Sequence, residues 1–245
     1  MRAMILAAGL GTRLRPLTDD RPKALVEVAG RTLLEITLAR LRGFGIREVI
    51  VNVHHFADLV AEYLKKNNDF GMRIQVSRED DLLDTGGGLK KAGWFFLEQP
   101  DQPFLLHNVD VISTIDFQKM LDTHRQTNAL STIATQKRES SRQLLFDENH
   151  TLCGRATRGC DPEVVRLSPQ SLPRAFSGVH IISPRMLPMI AETGAFSIIE
   201  TYLRLAGASE KIVSFSADDY YWRDLGKPEN VAQAAHDLEQ RIVSF

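Results

Sequence analysis

The chain opens with a string that leaves few folds available: Met4-Ile5-Leu6-Ala7-Ala8-Gly9-Leu10-Gly11-Thr12-Arg13-Leu14-Arg15-Pro16-Leu17-Thr18, then Arg21-Pro22-Lys23-Ala24-Leu25. A short apolar run ends on two alanines and two glycines and passes into a basic loop that bears hydroxyls. Glycine reaches left-handed backbone angles at no steric cost and lets a ligand come close to the main chain. A turn whose N–H groups converge forms a concavity suited to an anion. Arg13 and Lys23 add fixed positive charge beside it. Arginine can grip two phosphate oxygens at once, whereas lysine acts as a point charge. The loop is therefore predicted to cradle a triphosphate.

Gly-x-Gly after a strand also opens dinucleotide-binding folds, and a tight turn without a ligand needs nothing beyond the two glycines. The dinucleotide variant calls for a third glycine where this chain has Leu14, and for a helix directly afterwards. Glu27 stands near the spacing of that fold's acidic ribose ligand, but Pro16, Pro22 and Lys23 break the strand-turn-helix context. A Walker loop is not matched either, since Lys23 follows Pro22 and not a glycine.

The rest of the chain alternates between two periodicities. Leu34, Leu38 and Leu41 recur at helical spacing, Glu48 to Val53 is a β-branched buried strand, and Phe56, Leu59, Val60, Tyr63 and Leu64 mark a second helix. Met72 to Ser77 reads as a strand, and Thr85-Gly86-Gly87-Gly88 as a turn that starts a helix through Leu97. Phe104 to His107 is a strand leading to Asn108-Val109-Asp110. Helix 116–126 and strand 130–136 follow. Strand 176–182, helices 184–191 and 197–206, and strands 211–216 and 220–223 complete the series. A last helix from Pro228 is predicted to pack through Val231, Ala234, Ala235, Leu238 and Ile242. This alternation predicts an α/β fold, a Rossmann-like, mainly parallel sheet with helices on both faces. The stretch 137–174 is more polar, with a hairpin around Glu148-Asn149-His150, and reads as an elaboration on one domain spanning 1–245. Ligands in such sheets gather at the carboxyl ends of strands, where the first loop, the Gly-rich turn and Asp110 all fall.

Asp110 at the end of a buried-type strand and Asp224 in Tyr221-Trp222-Arg223-Asp224-Leu225-Gly226-Lys227-Pro228 are the carboxylates that stand out. Either could cap a following helix. Together, from strands distant in sequence, they could meet at one sheet edge and hold Mg²⁺, which binds one or two carboxylates plus substrate phosphates.

Taken as a whole, the opening string resembles the signature of the sugar-nucleotide pyrophosphorylases, which join a nucleoside triphosphate to a sugar 1-phosphate. Their Leu-Ala-Ala-Gly-x-Gly-Thr-Arg-Leu-x-Pro-Leu-Thr, followed by Pro-Lys, is met at every fixed position. The look is closest to short uridylyl- and guanylyltransferases acting on N-acetylmuramate, mannose or heptose 1-phosphates. The resemblance implies a GT-A-like nucleotidyltransferase fold and places Leu6, Ala7, Ala8, Gly9, Gly11, Thr12, Arg13 and Lys23 at the nucleotide. It adds Glu79, Thr85, Gly86, Gly87 and Asn108 there, with the Gly-rich turn over the base. Arg13, Lys23 and Asp110 are implied to be catalytic, Asp110 and Asp224 to bind Mg²⁺, and Ser177, Gly178 and Glu200 to meet the sugar. The family's glycine ahead of the first metal aspartate is here Val109, whose Cβ is expected to narrow access to the ribose. Its Glu-Lys-Pro string ahead of strand 176–182 is absent. Arg142 and Arg155 are further candidates for phosphate or sugar contacts, and His54-His55 is expected to be structural.

The implied reaction is Mg²⁺-dependent nucleotidyl transfer from an NTP, UTP first and GTP second, to a sugar 1-phosphate. The alternatives are a catalytically silent protein that binds a nucleotide sugar and, on Gly9 and Gly11 alone, a dinucleotide-dependent oxidoreductase. A net charge of −1 argues against general nucleic-acid or membrane-surface binding. No apolar stretch approaches a membrane span and no targeting segment is expected, so a cytoplasmic protein is expected. Cys153 and Cys160 are expected to be free thiols. The sequence leaves base, sugar and oligomeric state open.

Overall fold

The structure is a computed structural model that describes residues 1–243. Ser244 and Phe245, the end of the expected 1–245 domain, lie outside the described residues. The first strands are β1 (Ala3–Leu6), β2 (Glu27–Val28), β3 (Arg31–Thr32), β4 (Glu48–Val53), β5 (Arg73–Arg78), β6 (Phe104–Asn108) and β7 (Val111–Ser113). They are followed by β8 (Ser131–Gln136), β9 (Arg142–Phe146), β10 (Leu152–Thr157), β11 (Glu163–Val164), β12 (Leu172–Ile182), β13 (Ile212–Ser216) and β14 (Trp222–Asp224). The helices are α1 (Leu33–Gly43), α2 (Ala57–Lys66), α3 (Asp84–Ala92), α4 (Trp94–Leu97), α5 (Phe117–Thr127), α6 (Ile198–Gly207) and α7 (Pro228–Glu239).

β1 lies in the middle of the sheet, parallel to β4 on one side and β6 on the other, and β5 extends the parallel set beyond β4. Successive residues of a strand face opposite ways, so a strand covered on both sides must be apolar throughout. Ala3 and Ile5 accordingly enter one core, with Leu34 and Leu38 of α1, Phe117 of α5 and Val231 of α7. Met4 enters the other, with Leu89 of α3, Phe96 of α4 and Tyr202 of α6. Helices thus cover both faces of a mixed sheet with a parallel centre.

Past β6 the direction reverses. The long β12 runs antiparallel to β6 and then divides its pairing between β8 and β9, with a register break between Phe176 and His180. β9, β10 and β11 form the expected hairpin elaboration, whose turn is held by Asp147 Oδ1 accepting from the Asn149 and Thr151 amides (2.9 and 2.8 Å).

Three expectations need correction. Residues 184–189 form a tight 3-10 turn in place of an α-helix, because Pro188 inside it has no N–H to donate. The helix starting at the Gly-rich segment is broken at Gly93 into α3 and α4. α7 stops at Glu239, so Ile242 falls off its apolar stripe and is 64% exposed.

Burial of neutral histidines gives this fold an acid-sensitive element. His180 is bonded to the Tyr202 hydroxyl (2.9 Å), and burial pushes its pKa down to about 3. Burial likewise holds His107 and His124 at about 4. In the unfolded chain these rings titrate near 6.5, so between that value and the folded pKa the unfolded state binds more protons. Their neutral burial favours folding above pH 6.5 and is progressively lost as pH falls below it. We predict that His180→Gln lowers the pH dependence of unfolding free energy between pH 6 and 4.5 by up to about 1.4 kcal/mol per pH unit. Urea denaturation across that range would show it, and an unchanged slope would contradict the assignment.

Candidate active site

The end of β1 is pinned by its neighbours. Asn52 Oδ1, on β4, accepts from the Ala7 amide (2.7 Å), and Asn52 Nδ2 donates to Glu79 Oε1 (2.7 Å). Glu79 Oε2 accepts from the Leu83 amide just before α3 (3.0 Å). One buried relay therefore ties the first loop to the ends of β4 and β5 and to the start of α3. The three glycines of α3 fit around it. A Cβ on Gly88 would come within 2.7 Å of both Asn52 Nδ2 and Glu79 Oε1, while on Gly86 it would strike the Phe196 ring at 2.2 Å.

The loop itself turns at Gly11, whose φ of 66° is left-handed, and its carbonyl accepts from Thr18 Oγ1 (2.9 Å). Gly9 does not take such an angle. Leu14 anchors the loop in the core, leaving Arg13 exposed with no ion pair among the described residues. Lys23 reaches across the sheet edge and pairs with the Asp110 carboxylate, both side chains being nearly buried.

Asp110 follows β6, and its carbonyl accepts from the Leu225 amide (2.7 Å). β7 and β14 pair antiparallel with Val111 opposite Asp224, which carries the second aspartate to the same edge. Neither aspartate caps a helix: the residue ahead of α7 is Lys227, and Asp224 Oδ1 accepts from the Gly226 amide (2.6 Å). Gly226 is squeezed between the two sides of the site, since a Cβ there would lie 2.7 Å from Asp224 Oδ1 and 2.9 Å from Arg13 Nη2. No group of three or more His, Cys, Asp or Glu able to hold a metal occurs among the described residues. A pair of carboxylates fits Mg²⁺ bound with a polyphosphate, because substrate oxygens and water complete its octahedron.

Two clefts meet here. One, of about 540 Å³, is lined by Leu6, Ala8, Gly9, Arg13, Lys23 and Asn52 from the first strands, and by Thr85, Asn108 and Asp110. The other, of about 610 Å³, is lined by Phe176, His180 and Glu200, and by Arg142 and Arg155 of the hairpin. Asp84 and Thr85 belong to both. Asn108 Oδ1 is buried without a donor among the described residues, beside the first cleft.

Several expected contacts take other roles. Glu79 accepts from Asn52 Nδ2 on Oε1 and from the Leu83 amide on Oε2, so it braces the site from within the protein. The Ala7 amide is spent on Asn52, and Gly86 and Gly87 are pressed against Phe196 and Gly194. Gly11 and Thr12 shape the loop without lining the cleft. On the sugar side Glu200 lines the second cleft, whereas Ser177 and Gly178 lie behind it. The Ser177 carbonyl accepts from Trp222 Nε1 (2.7 Å), and Gly178 is packed on Val111 and Asn108. Val109, 2% exposed and part of the core cluster, also lines the first cleft, where its Cβ is expected. His54 is bonded to the Glu79 carbonyl (2.9 Å), and the His55 ring packs at a tilt against Phe56. Cys153 and Cys160 are free.

Asn52 was not singled out by sequence, since inside Val-Asn-Val it reads as one more strand position. Its replacement is a sharp test of the relay. We predict that Asn52→Leu strands the Ala7 amide and the Glu79 carboxylate and costs about 1–3 kcal/mol of folding free energy. Denaturant titration measures it, and a loss under about 0.5 kcal/mol, the scatter of surface substitutions, would contradict the relay.

Among described residues, no helix is long and apolar enough to cross a membrane. The profile of the nucleotidyl transferase family matches residues 2–144. The chain is 34% identical over 237 residues to N-acetylmuramate alpha-1-phosphate uridylyltransferase of Caulobacter vibrioides, covering 93% of this chain and 92% of that protein. It is 31% identical to mannose-1-phosphate guanyltransferase of Yarrowia lipolytica, over 94% of this chain but only 62% of the longer relative. In fold it is similar to HddC from Yersinia pseudotuberculosis complexed with GMP-PN (TM-score 0.77, 22% identity, 97% of this chain and 99% of that one). A putative glucose-1-phosphate thymidylyltransferase from Bacillus anthracis is similar too (TM-score 0.79, 18% identity, 100% and 97% covered). With a family profile over more than half its length and a relative matched nearly end to end, the chain belongs to the nucleotidyl transferase family.

Proposed function

We propose that this nucleotidyltransferase joins an NTP to a sugar 1-phosphate, with UTP and N-acetylmuramate 1-phosphate the first pair to consider and GTP with mannose 1-phosphate the second. The observation that carries the reading is the meeting of two clefts at Thr85, one ringed by the glycine loop, Arg13, Lys23 and Asp110, the other lined by Phe176, Glu200 and two arginines. The order of preference follows the relatives: the uridylyltransferase is matched over nearly its whole length, the guanyltransferase over 62% of it.

In the proposed reaction a phosphate oxygen of the sugar 1-phosphate attacks the α-phosphorus in line. One P–O bond forms as the bond to the β-phosphate oxygen breaks, and pyrophosphate leaves with its electron pair. Positioning and charge neutralisation supply most of the acceleration for such a transfer, so no protein nucleophile is required. Arg13, which forms no ion pair among the described residues, binds the β- and γ-phosphates. Lys23 exchanges Asp110 for the reacting phosphates, which frees that carboxylate. Asp110 and Asp224 would hold Mg²⁺, which when bound neutralises phosphate charge. Asn108, which lines the first cleft, meets the nucleotide there.

Pyrophosphate release, assayed with UTP, GTP, CTP, dTTP and ATP against a panel of sugar 1-phosphates, tests the reading. Turnover with one uridylyl or guanylyl pair, lost in EDTA and restored by Mg²⁺, is the expected result; silence across the panel would overturn it. Lys23→Ala and Asp224→Ala are each predicted to lower kcat by about 10²–10³, the loss typical when one transition-state charge contact is removed. Near-wild-type turnover by either would refute its role.

A further inference from the structure

Arg138 lies just beyond β8, in the polar segment, where Asp224 is the opposite charge that acts on it, without approaching closely enough for an ion pair. The guanidinium stacks on the Trp222 ring at 4.0 Å, and Nη2 donates to the Phe176 carbonyl (2.7 Å). Nε is buried without a partner, and Arg138 forms no ion pair among the described residues. Arg174, in the same segment, shows the contrast, being matched by Asp218 at 2.8 Å. Taking a guanidinium out of water is costly unless an anion compensates it.

Its position says which further anion it could bind. On β14 side chains alternate, so Trp222 and Asp224 share a face while Arg223 turns away to the Tyr221 hydroxyl and Asp237. Arg138, stacked on Trp222, therefore stands on the face that presents the Asp224 carboxylate. It is also bonded to the wall of the second cleft. Phe176 and Gln143 both line that cleft, and Gln143 Nε2 donates to the Arg138 carbonyl (3.4 Å). Arg138 thus lies between Asp224 and the wall of the second cleft.

We propose that Arg138 binds the phosphate of the sugar 1-phosphate, holding it beside Asp224 for attack on the nucleotide. The proposal rests on the sugar-nucleotide reading above. A planar guanidinium already braced by Trp222 and the Phe176 carbonyl loses little freedom when it takes a phosphate, and its fork suits two oxygens of one group. Arg13 and Lys23 are then left to the nucleotide, and each substrate brings its phosphate to its own cation.

Two substitutions separate charge from scaffolding. Arg138→Gln keeps an N–H for the Phe176 carbonyl and removes the charge, whereas Arg138→Lys keeps the charge and loses the planar stack. Steady-state kinetics would use UTP with N-acetyl-α-muramate 1-phosphate and GTP with α-mannose 1-phosphate. The Gln variant is expected to raise KM for the sugar phosphate by about 10- to 100-fold, the worth of a hydrogen bond to a charged group. KM for the nucleotide should stay within about twofold, and Lys should recover most of the loss. Arg138→Met, whose stem still covers Trp222, gives the same reading if the Gln variant does not fold. Unchanged sugar-phosphate KM, equal rises in both KM values, or a Gln variant better than Lys would overturn the proposal while leaving the reaction in place. A wild type silent with both pairs would overturn the functional reading and this one with it.

Discussion

Two opposite charges at the carboxyl edge of the sheet, Lys23 and Asp110, govern the arrangement around them. They come from elements far apart in sequence, the first loop and the turn after β6, and meet because β1 and β6 are direct neighbours. Both are nearly buried, so neither charge is tolerable without the other or a substitute. A polyphosphate with a divalent cation is such a substitute, since it offers negative charge to Lys23 and positive charge to Asp110 at once. The resting ion pair therefore keeps the cleft folded and charge-balanced, and proposed substrate binding exchanges partners without burying a new charge.

That exchange requires a loop that does not collapse when its lysine lets go. The relay from the Ala7 amide through Asn52 and Glu79 to the Leu83 amide supplies the rigidity. It uses buried polar atoms, which hold their geometry because leaving any one unpaired is costly. The glycines of α3 have the same origin: the helix must come close enough for Gly88 to clear Asn52 and Glu79 and for Gly86 to clear Phe196. Bracing and close packing thus fix where Glu79 and the Gly-rich turn sit beside the first cleft.

Much of this was legible in the chain. The first loop is a contiguous string, and its chemistry lies in neighbouring residues, so Gly9, Arg13 and Lys23 could be read directly. Asp110 and Asp224 were legible because each sits in a short local pattern at the end of a strand. The β-α alternation of the first half is carried by local periodicity and yielded the parallel centre. What could not be read depends on contacts far apart in sequence. The reversal at β12 is decided by pairing with β6, β8 and β9, which no local spacing encodes. Asn52 and Glu79 acquire their roles only from each other, across 27 residues. Arg138 looked like any solvated residue of a polar segment until Trp222, 84 positions on, was placed beneath it.

Substrates held in two adjoining clefts can react directly, with no covalent nucleotidyl-protein intermediate, and the stereochemistry at phosphorus decides whether they do. An NTP carrying a single sulfur of known configuration on its α-phosphate would be turned over with the accepted sugar 1-phosphate. The configuration of the resulting thio-nucleotide sugar would then be assigned by ³¹P NMR. A single in-line displacement predicts inversion. Retention would mean two successive displacements through a group on the protein, and would contradict the account.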